Sequence, residues 1–118
     1  MLNQVVLVGR LVRDPQLNET EKGKKMMYVT LAIPRSFKNM KGEYDTDFID
    51  CVLWDGLAQN TSEYCEKGNI VGVKGRIQSR VIEHDTERKY ITEVVAEKIS
   101  FLSSNKKEPT TESSNEET

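Results

Sequence analysis

Large flat side chains stand beside positive charges in this chain, and that combination could bind a nucleic acid strand. Phe37 lies close to two basic residues, Arg35 and Lys38. Phe48 and Trp54 are six residues apart in an apolar run, so on a strand both side chains project from the same face. Aromatic rings can stack on any base, and cations can contact each phosphate of the strand.

The same aromatic residues could instead belong to a hydrophobic core. On a strand, the opposite face would carry Ile49, Cys51 and Leu53, and it is the more uniformly apolar of the two faces. The Phe48 face also carries Asp50, and such a mixed face is a poor core and a plausible binding surface. From these residues alone, both interpretations stay open.

The chain offers little for catalysis or metal binding. One histidine, His84, and two cysteines, Cys51 and Cys65, are too few for a four-ligand zinc site or a disulfide framework. We expect both cysteines to be reduced and buried. The acidic residues around Asp45 and Asp47 read as a solvated loop, so we expect no metal and no cofactor.

The charge balance separates the chain into two parts. The 118 residues carry a formal charge of −2, which by itself argues against a nucleic acid partner. However, residues 1–107 hold 17 basic and 15 acidic side chains, whereas residues 108–118 hold four glutamates and no base. Residues 103–118 contain no aliphatic or aromatic side chain. We therefore predict one domain over residues 1–104 and a disordered acidic tail over residues 105–118.

Apolar patterning predicts the elements that must position the candidate residues. Strands are predicted at 4–12, 26–33 and 48–54, a helix at 56–67 with Gly68 as its C-terminal cap, and strands at 70–82 and 90–102. The apolar alternation of the last two strands falls on Val71, Val73, Ile77, Ile91, Val95, Ile99 and Phe101. Glycines inside the strands suit a small sheet that bends to close. This order predicts an all-β, five-stranded OB-fold barrel with one short α-helix between strands 3 and 4.

Four segments stand out along the chain, LNQVVLVGRLVRDPQL, FIDCVLWDGLAQNTSEYCEKG, GVKGRIQSR and YITEV. Together they resemble bacterial single-stranded DNA-binding proteins, particularly the short forms of Gram-positive bacteria, and the likeness runs over nearly all of residues 1–104. The resemblance implies a non-enzymatic homotetramer of OB folds that binds single-stranded DNA during replication, recombination, repair or uptake. With no apolar run of the roughly 20 residues needed to span a bilayer, we expect a cytoplasmic, nucleoid-associated protein.

The resemblance also implies roles for particular residues. Phe37, Phe48 and Trp54 match the family's stacking positions, and Arg10, Lys67 and Arg80 match positions that are often basic. Local charge adds Arg35, Lys38 and Arg76 as phosphate contacts. The first strand, through Val5, Val6, Leu7 and Val8, matches the edge that takes part in subunit pairing.

Three departures from the family pattern carry expectations of their own. Ile82 stands where the family usually has an aromatic residue, so it can contact a base but offers no π face. Asp55-Gly56 follows Trp54 where relatives often carry basic residues. Both changes predict weaker or more salt-sensitive DNA binding. The tail ends NEET, without the apolar anchor of the long forms, so we do not expect it to recruit replication and repair proteins.

Two other functions remain as alternatives at this point. An OB-fold accessory protein of a replication-restart complex would act mainly through protein contacts. A nuclease on the same barrel would need carboxylates and an arginine that converge on a metal, since a fold does not determine a function.

Overall fold

The computed structural model describes residues 1–103, and the predicted tail at 105–118 lies outside them. Its elements, in chain order, are β1 (Val5–Leu11), β2 (Asn18–Glu19), β3 (Lys25–Lys38), β4 (Tyr44–Trp54), α1 (Asp55–Tyr64), β5 (Ile70–His84) and β6 (Glu87–Phe101). The predicted order of three strands, a helix and two strands is confirmed. The two-residue β2, which pairs with the start of β3, is an addition.

The strands form one sheet in the order β1-β5-β6-β4-β3-β2. Neighbours are antiparallel except β4 and β6, which are parallel. A further antiparallel contact, at Arg10–Ala32 and Leu11–Leu31, joins β1, the first strand of this order, to β3 near its other end. The sheet thereby closes into the predicted OB-fold barrel.

The β3–β4 ladder runs further than its apolar pattern predicts. It continues through the Pro34–Thr46 pair to Lys38–Tyr44, with a register shift between Pro34 and Lys38. Proline has no N–H to donate, which suits it to such an irregularity. The apolar alternation ends before the ladder does, because both faces of this hairpin are exposed to solvent. Backbone pairing can continue there, since it needs no apolar side chain. The β5–β6 hairpin likewise extends to a His84–Glu87 pair.

The barrel interior is filled from alternate positions of the strands. Cys51 and Leu53 are fully buried and Ile49 packs against them, so the inward parity predicted for β4 is confirmed. Cys51 and Cys65 are both buried, as expected. The core consists of Leu11, Met27, Val29, Leu31, Cys51, Leu53, Ala58, Cys65, Val71, Val73, Val94 and Ala96.

Val95 is buried, at 8% exposed, as its predicted alternation indicates, but it lies outside the main core cluster. Val94 and Ala96 belong to the core, so Val95 between them lies on the outward face. The register of β5 and β6 shifts between Lys74 and Gly75. Before the shift the even-numbered residues of β6, such as Val94, face the core, and after it the odd-numbered residues, such as Ile99, do so. A Cβ on Gly75 would collide with the Val95 carbonyl oxygen, so the bulge needs glycine.

Ile77 also departs from the alternation predicted for β5. Val71 and Val73 are fully buried, but Ile77 is exposed although it keeps their parity. Ile77 pairs with Val94 of the core, and beyond this pair the two strands continue as the β5–β6 hairpin, so Ile77 lies at the margin of the core.

The helix is shorter than predicted. It ends at Tyr64, where the Cys65 N–H donates to the Thr61 carbonyl. Gly68 has the expected positive φ of 94°, but it shapes the turn after the helix, and its N–H donates to the carbonyl of Leu11. Within residues 1–103, no helix has the length and apolar character that crossing a membrane requires.

Candidate nucleic-acid interface

The outward surface of β3 and β4 carries three aromatic side chains, Tyr28, Phe48 and Trp54, here called the aromatic face. Phe48 and Trp54 share this face as predicted, because the alternate residues of β4 fill the core. Tyr28 lies opposite Val52, between the other two along the ladder and closer to Trp54. Phe48 is 64% exposed and Tyr28 46%, and Trp54 is half-buried. Two large rings are thus largely accessible on a strand surface that hydrophobic packing does not explain.

Phe37 lies apart from this face, on the β3–β4 hairpin. It is 65% exposed. The same hairpin presents Tyr44, whose ring centroid is 5.9 Å from the ammonium of Lys38, and the fully exposed Met40. The hairpin is therefore a second apolar and aromatic surface beside a cation.

Arg80 holds the hydroxyl of Tyr28. Its Nη2 donates to the Tyr28 hydroxyl at 3.1 Å, and its Nε donates to Oε2 of Glu93 at 3.2 Å. These bonds raise the pKa of Arg80, chiefly through the hydrogen bond to Glu93. The predicted phosphate contact Arg80 is thus already engaged with a carboxylate in the free protein.

A polar chain also crosses the aromatic face between Tyr28 and Phe48. Thr30 donates to Oδ1 of Asp50 at 2.6 Å, and Arg13 donates to the Thr30 hydroxyl oxygen at 3.1 Å. The Asp50 carboxylate is exposed here, so this part of the surface carries one negative charge with a hydroxyl and a guanidinium beside it.

Arg35 is the most strongly paired cation of the β3–β4 hairpin. Its Nη2 lies 2.9 Å from Oδ1 of Asp47, and its Nη1 lies 3.8 Å from Asp45. The hydrogen bond to Asp47 raises the pKa of Arg35 and lowers that of Asp47. Much of the positive charge of Arg35 is therefore balanced locally.

The remaining predicted cations differ in their pairing. Arg76 lies 3.8 Å from Glu97. Arg10 donates to the carbonyl of Gly68 at 2.7 Å, which leaves its charge uncompensated. Within the described residues, no carboxylate oxygen lies within 4.0 Å of the side-chain nitrogens of Arg10, Lys38 or Lys67.

Lys24, which the sequence did not single out, lies over Trp54. Its ammonium is 5.1 Å from the centroid of the Trp54 ring and 4.0 Å from Oδ2 of Asp55. Asp55 follows Trp54 directly and has a positive φ of 53°, an uncommon conformation for a residue other than glycine. Asp55, which stands where relatives often carry a basic residue, thus brings a carboxylate next to both the Trp54 ring and a lysine.

Ile82 and the first strand complete the predicted set. Ile82 is half-buried on the parity of β5 that also carries Arg76 and Arg80. In β1, Val5 and Leu7 pack against the core, whereas Val6 and Val8 are 69% and 53% exposed.

Sequence reasoning overlooked Tyr28, Lys24 and Glu93. The alternation of β3 placed Tyr28 on the outward side, but only the β3–β4 register puts it between Phe48 and Trp54. Lys24 and Glu93 left no such signal, because each acts across elements that are distant in the chain.

Comparison with known proteins agrees with this surface. Residues 2–102 match the Single-strand binding protein family. Single-stranded DNA-binding protein B of Bacillus subtilis strain 168 is 50% identical over 103 residues, which cover 86% of this chain and 91% of that protein. The single-stranded DNA-binding protein of Halalkalibacterium halodurans is 48% identical over 86% of this chain and 61% of its own length.

Solved structures show the same fold. The Plasmodium falciparum SSB, in complex with single-stranded DNA, superposes with a TM-score of 0.76 at 25% identity, over 87% of this chain and 96% of its own. The single-stranded DNA binding protein from Thermus aquaticus, a deletion mutant, gives 0.73 at 31% identity, over 86% of this chain and 51% of that one. Since the family match spans nearly every described residue and the barrel superposes on these structures, the chain belongs to the single-strand binding protein family.

Proposed function

We propose that this protein binds single-stranded DNA with little sequence preference and protects it during replication, recombination, repair or uptake. The observation that carries the proposal is the aromatic face, where Phe48 and Tyr28 stand exposed beside Trp54 on a strand surface. Membership of a family of non-enzymatic DNA-binding proteins supports it, and so does the DNA-bound state of the Plasmodium protein. The same membership favours DNA binding over a nuclease or a restart accessory protein.

Stacking supplies affinity without reading sequence. Phe48 and Trp54 are six residues apart on one strand, which separates them by about 20 Å. They therefore stack on different bases, and a strand that lies along β4 meets Tyr28 between them. Phe37 extends the path onto the β3–β4 hairpin, and Ile82 adds an apolar contact from β5. Each stacked base contributes about 1–3 kcal/mol in sites of this kind.

Phosphate contacts come from cations of two kinds. Arg10, Lys38 and Lys67 carry charge with no carboxylate close by among the described residues, so they meet phosphates directly. In contrast, the three arginines of the second kind are already paired with a carboxylate, which competes with a phosphate for them. These are Arg35, Arg76 and Arg80.

The working form is a homotetramer in this proposal. Among the described residues, β3 pairs only with Arg10 and Leu11 on one edge of β1, which leaves Val5–Val8 available there for a second copy. Val6 and Val8 expose apolar surface on the same strand. Light scattering tests the assembly: a tetramer mass supports it, and a monomer mass at micromolar concentration contradicts it.

Domain limits and location follow the same proposal. The binding domain covers residues 1–104, and residues 105–118 form an acidic tail that does not itself recruit replication and repair proteins, in a cytoplasmic, nucleoid-associated protein. A pull-down of replication and repair proteins that depends on residues 105–118 would contradict the statement about the tail.

The decisive experiment is a titration with oligo-dT at low and high salt. Trp54 is the single tryptophan, so quenching of its emission reports binding directly. We expect quenching at low salt and weaker binding at high salt, because phosphate contacts release counterions. No quenching, together with no change in the anisotropy of a fluorescein-labelled oligo-dT, would rule the function out.

A further inference from the structure

We propose that Lys24 is a DNA-binding residue that exchanges partners, leaving the Trp54 ring and Asp55 for a phosphate when a base stacks on Trp54. The inference rests on the proposed function and adds a residue that neither motif nor resemblance assigns. It is carried by three groups from two distant parts of the chain that meet at one point: Lys24 before β3, and the consecutive residues Trp54 and Asp55 where β4 ends and α1 begins.

The first step is steric. The ammonium of Lys24 is 5.1 Å from the centroid of the Trp54 ring and lies over it. A base stacked on that side would sit about 3.5–4 Å from the ring atoms and would take the space that the ammonium occupies. Stacking there therefore requires Lys24 to move.

The second step concerns the charge that is released. Lys24 and Asp55 are both more than half exposed and 4.0 Å apart, so their ion pair is weak and easily broken. The cation–π contact at an exposed site is similarly weak. A phosphate at the edge of the stacked base offers the ammonium a stronger acceptor and keeps it close to the site.

The third step concerns Asp55. A carboxylate beside the stacking ring repels the DNA backbone, which is the physical basis for the weaker binding expected from this departure. Pairing with Lys24 offsets this repulsion in the free protein. Once Lys24 turns to a phosphate, Asp55 is left without that counter-charge, so it opposes the exchange.

The test compares Lys24→Gln with a control in the same turn, Lys22→Gln, which removes an equal charge two residues away. Binding of fluorescein-labelled oligo-dT is measured by anisotropy across a salt series. For Lys24→Gln the slope of log affinity against log salt should fall by about 0.7, the value for one phosphate contact on a single strand. For Lys22→Gln the slope should stay at the wild-type value. Equal slopes for the two variants would overturn the proposal.

Two further readouts separate the exchange from a general loss of charge. In the free protein, Lys24→Gln should make Trp54 more accessible to acrylamide, and Lys22→Gln should not. Asp55→Asn, which suits a positive φ, should strengthen binding more in the wild type than in the Lys24→Gln background. Equal gains in both backgrounds would overturn the exchange, whereas wild-type protein that fails to bind oligo-dT would overturn the proposed function itself.

Discussion

Arg80 and Glu93 form an ion pair that joins the aromatic face to the barrel wall. Nε of Arg80 lies 3.2 Å from Oε2 of Glu93, a carboxylate only 6% exposed, and the other arm of the guanidinium holds the hydroxyl of Tyr28. A buried carboxylate without a cation is costly, so Arg80 is needed by the fold as well as by the site. Its availability to DNA is limited for the same reason.

Arg80→Met should lower the free energy of unfolding by about 1–3 kcal/mol, because it leaves the buried Glu93 carboxylate without its cation and with only the longer hydrogen bond, 3.4 Å, from the Gln78 amide. Chemical denaturation with urea measures this change. Arg88→Met is the matched control, since the Arg88–Glu83 pair is exposed on both sides and should contribute little. An equal effect of the two substitutions would contradict the distinction drawn between the pairs.

Phe48→Ala and Leu53→Ala should separate binding from stability within one strand. Phe48 is exposed, so its loss should weaken oligo-dT binding by about 1–3 kcal/mol while the free energy of unfolding changes little. Leu53 is fully buried, so its loss should lower the free energy of unfolding by about 2–5 kcal/mol. If Phe48→Ala instead unfolds the protein, the core interpretation of Phe48 is correct.

Tyr90→Ala controls for the loss of any exposed aromatic residue. Tyr90 is 69% exposed and lies opposite Val81 on the β5–β6 hairpin, on the face away from Arg80. Anisotropy with labelled oligo-dT should show little change for this variant. A loss as large as that of Phe48→Ala would mean that the path of the DNA is different.

Lys38→Gln should reduce the salt dependence of DNA binding more than Arg35→Gln. Arg35 is already paired with Asp47 and Asp45, whereas within residues 1–103 Lys38 lies beside the Tyr44 ring and has no carboxylate partner. The slope of log affinity against log salt should fall by about 0.7 for Lys38→Gln and by less for Arg35→Gln. The reverse order would show that DNA displaces the two aspartates from Arg35.

Asp47 should titrate below the ordinary aspartate pKa of 3.8, because the hydrogen bond from Arg35 favours its charged form. Its contribution to stability is therefore complete above the unfolded-state pKa and is lost as the pH falls through the folded value. NMR titration of the Asp47 carboxyl measures that midpoint. Arg35→Gln should move it upward, and an unchanged midpoint would show that the pair does not form in solution.

Cys51 should resist thiol reagents in the native protein. Burial, with a smaller contribution from the charge of Asp50, raises its pKa to about 12, so at pH 8 only about one thiol in ten thousand is ionised. Labelling with Ellman's reagent should be slow in buffer, and both cysteines should react in urea. Fast labelling of one thiol without denaturant would contradict this environment.

Much of the architecture could be predicted from local patterns. The alternation around Cys51 and Leu53 identified the inward face of β4, and the apolar pattern of residues 56–67, followed by Gly68, identified the helix between the strands. The predicted alternation failed where the burial of a residue depends on strand pairing that the local sequence does not show. Val95 is buried but lies outside the core cluster, because the register shift at Gly75 changes which residues of β6 face inward, and Ile77 is exposed because it lies where the barrel gives way to the β5–β6 hairpin.

The sequence by itself determined the strand order, the OB-fold class, the parity that turns Phe48 and Trp54 outward, and the family. These follow from side-chain periodicity and from motifs, which are properties of neighbouring residues. Only the tertiary structure decided which cations are paired with a carboxylate, that Tyr28 joins the aromatic face, and that Lys24 lies over Trp54. The physical reason is that electrostatic pairing depends on distances between residues far apart in the chain, such as Arg80 and Tyr28, and local patterning carries no record of those distances.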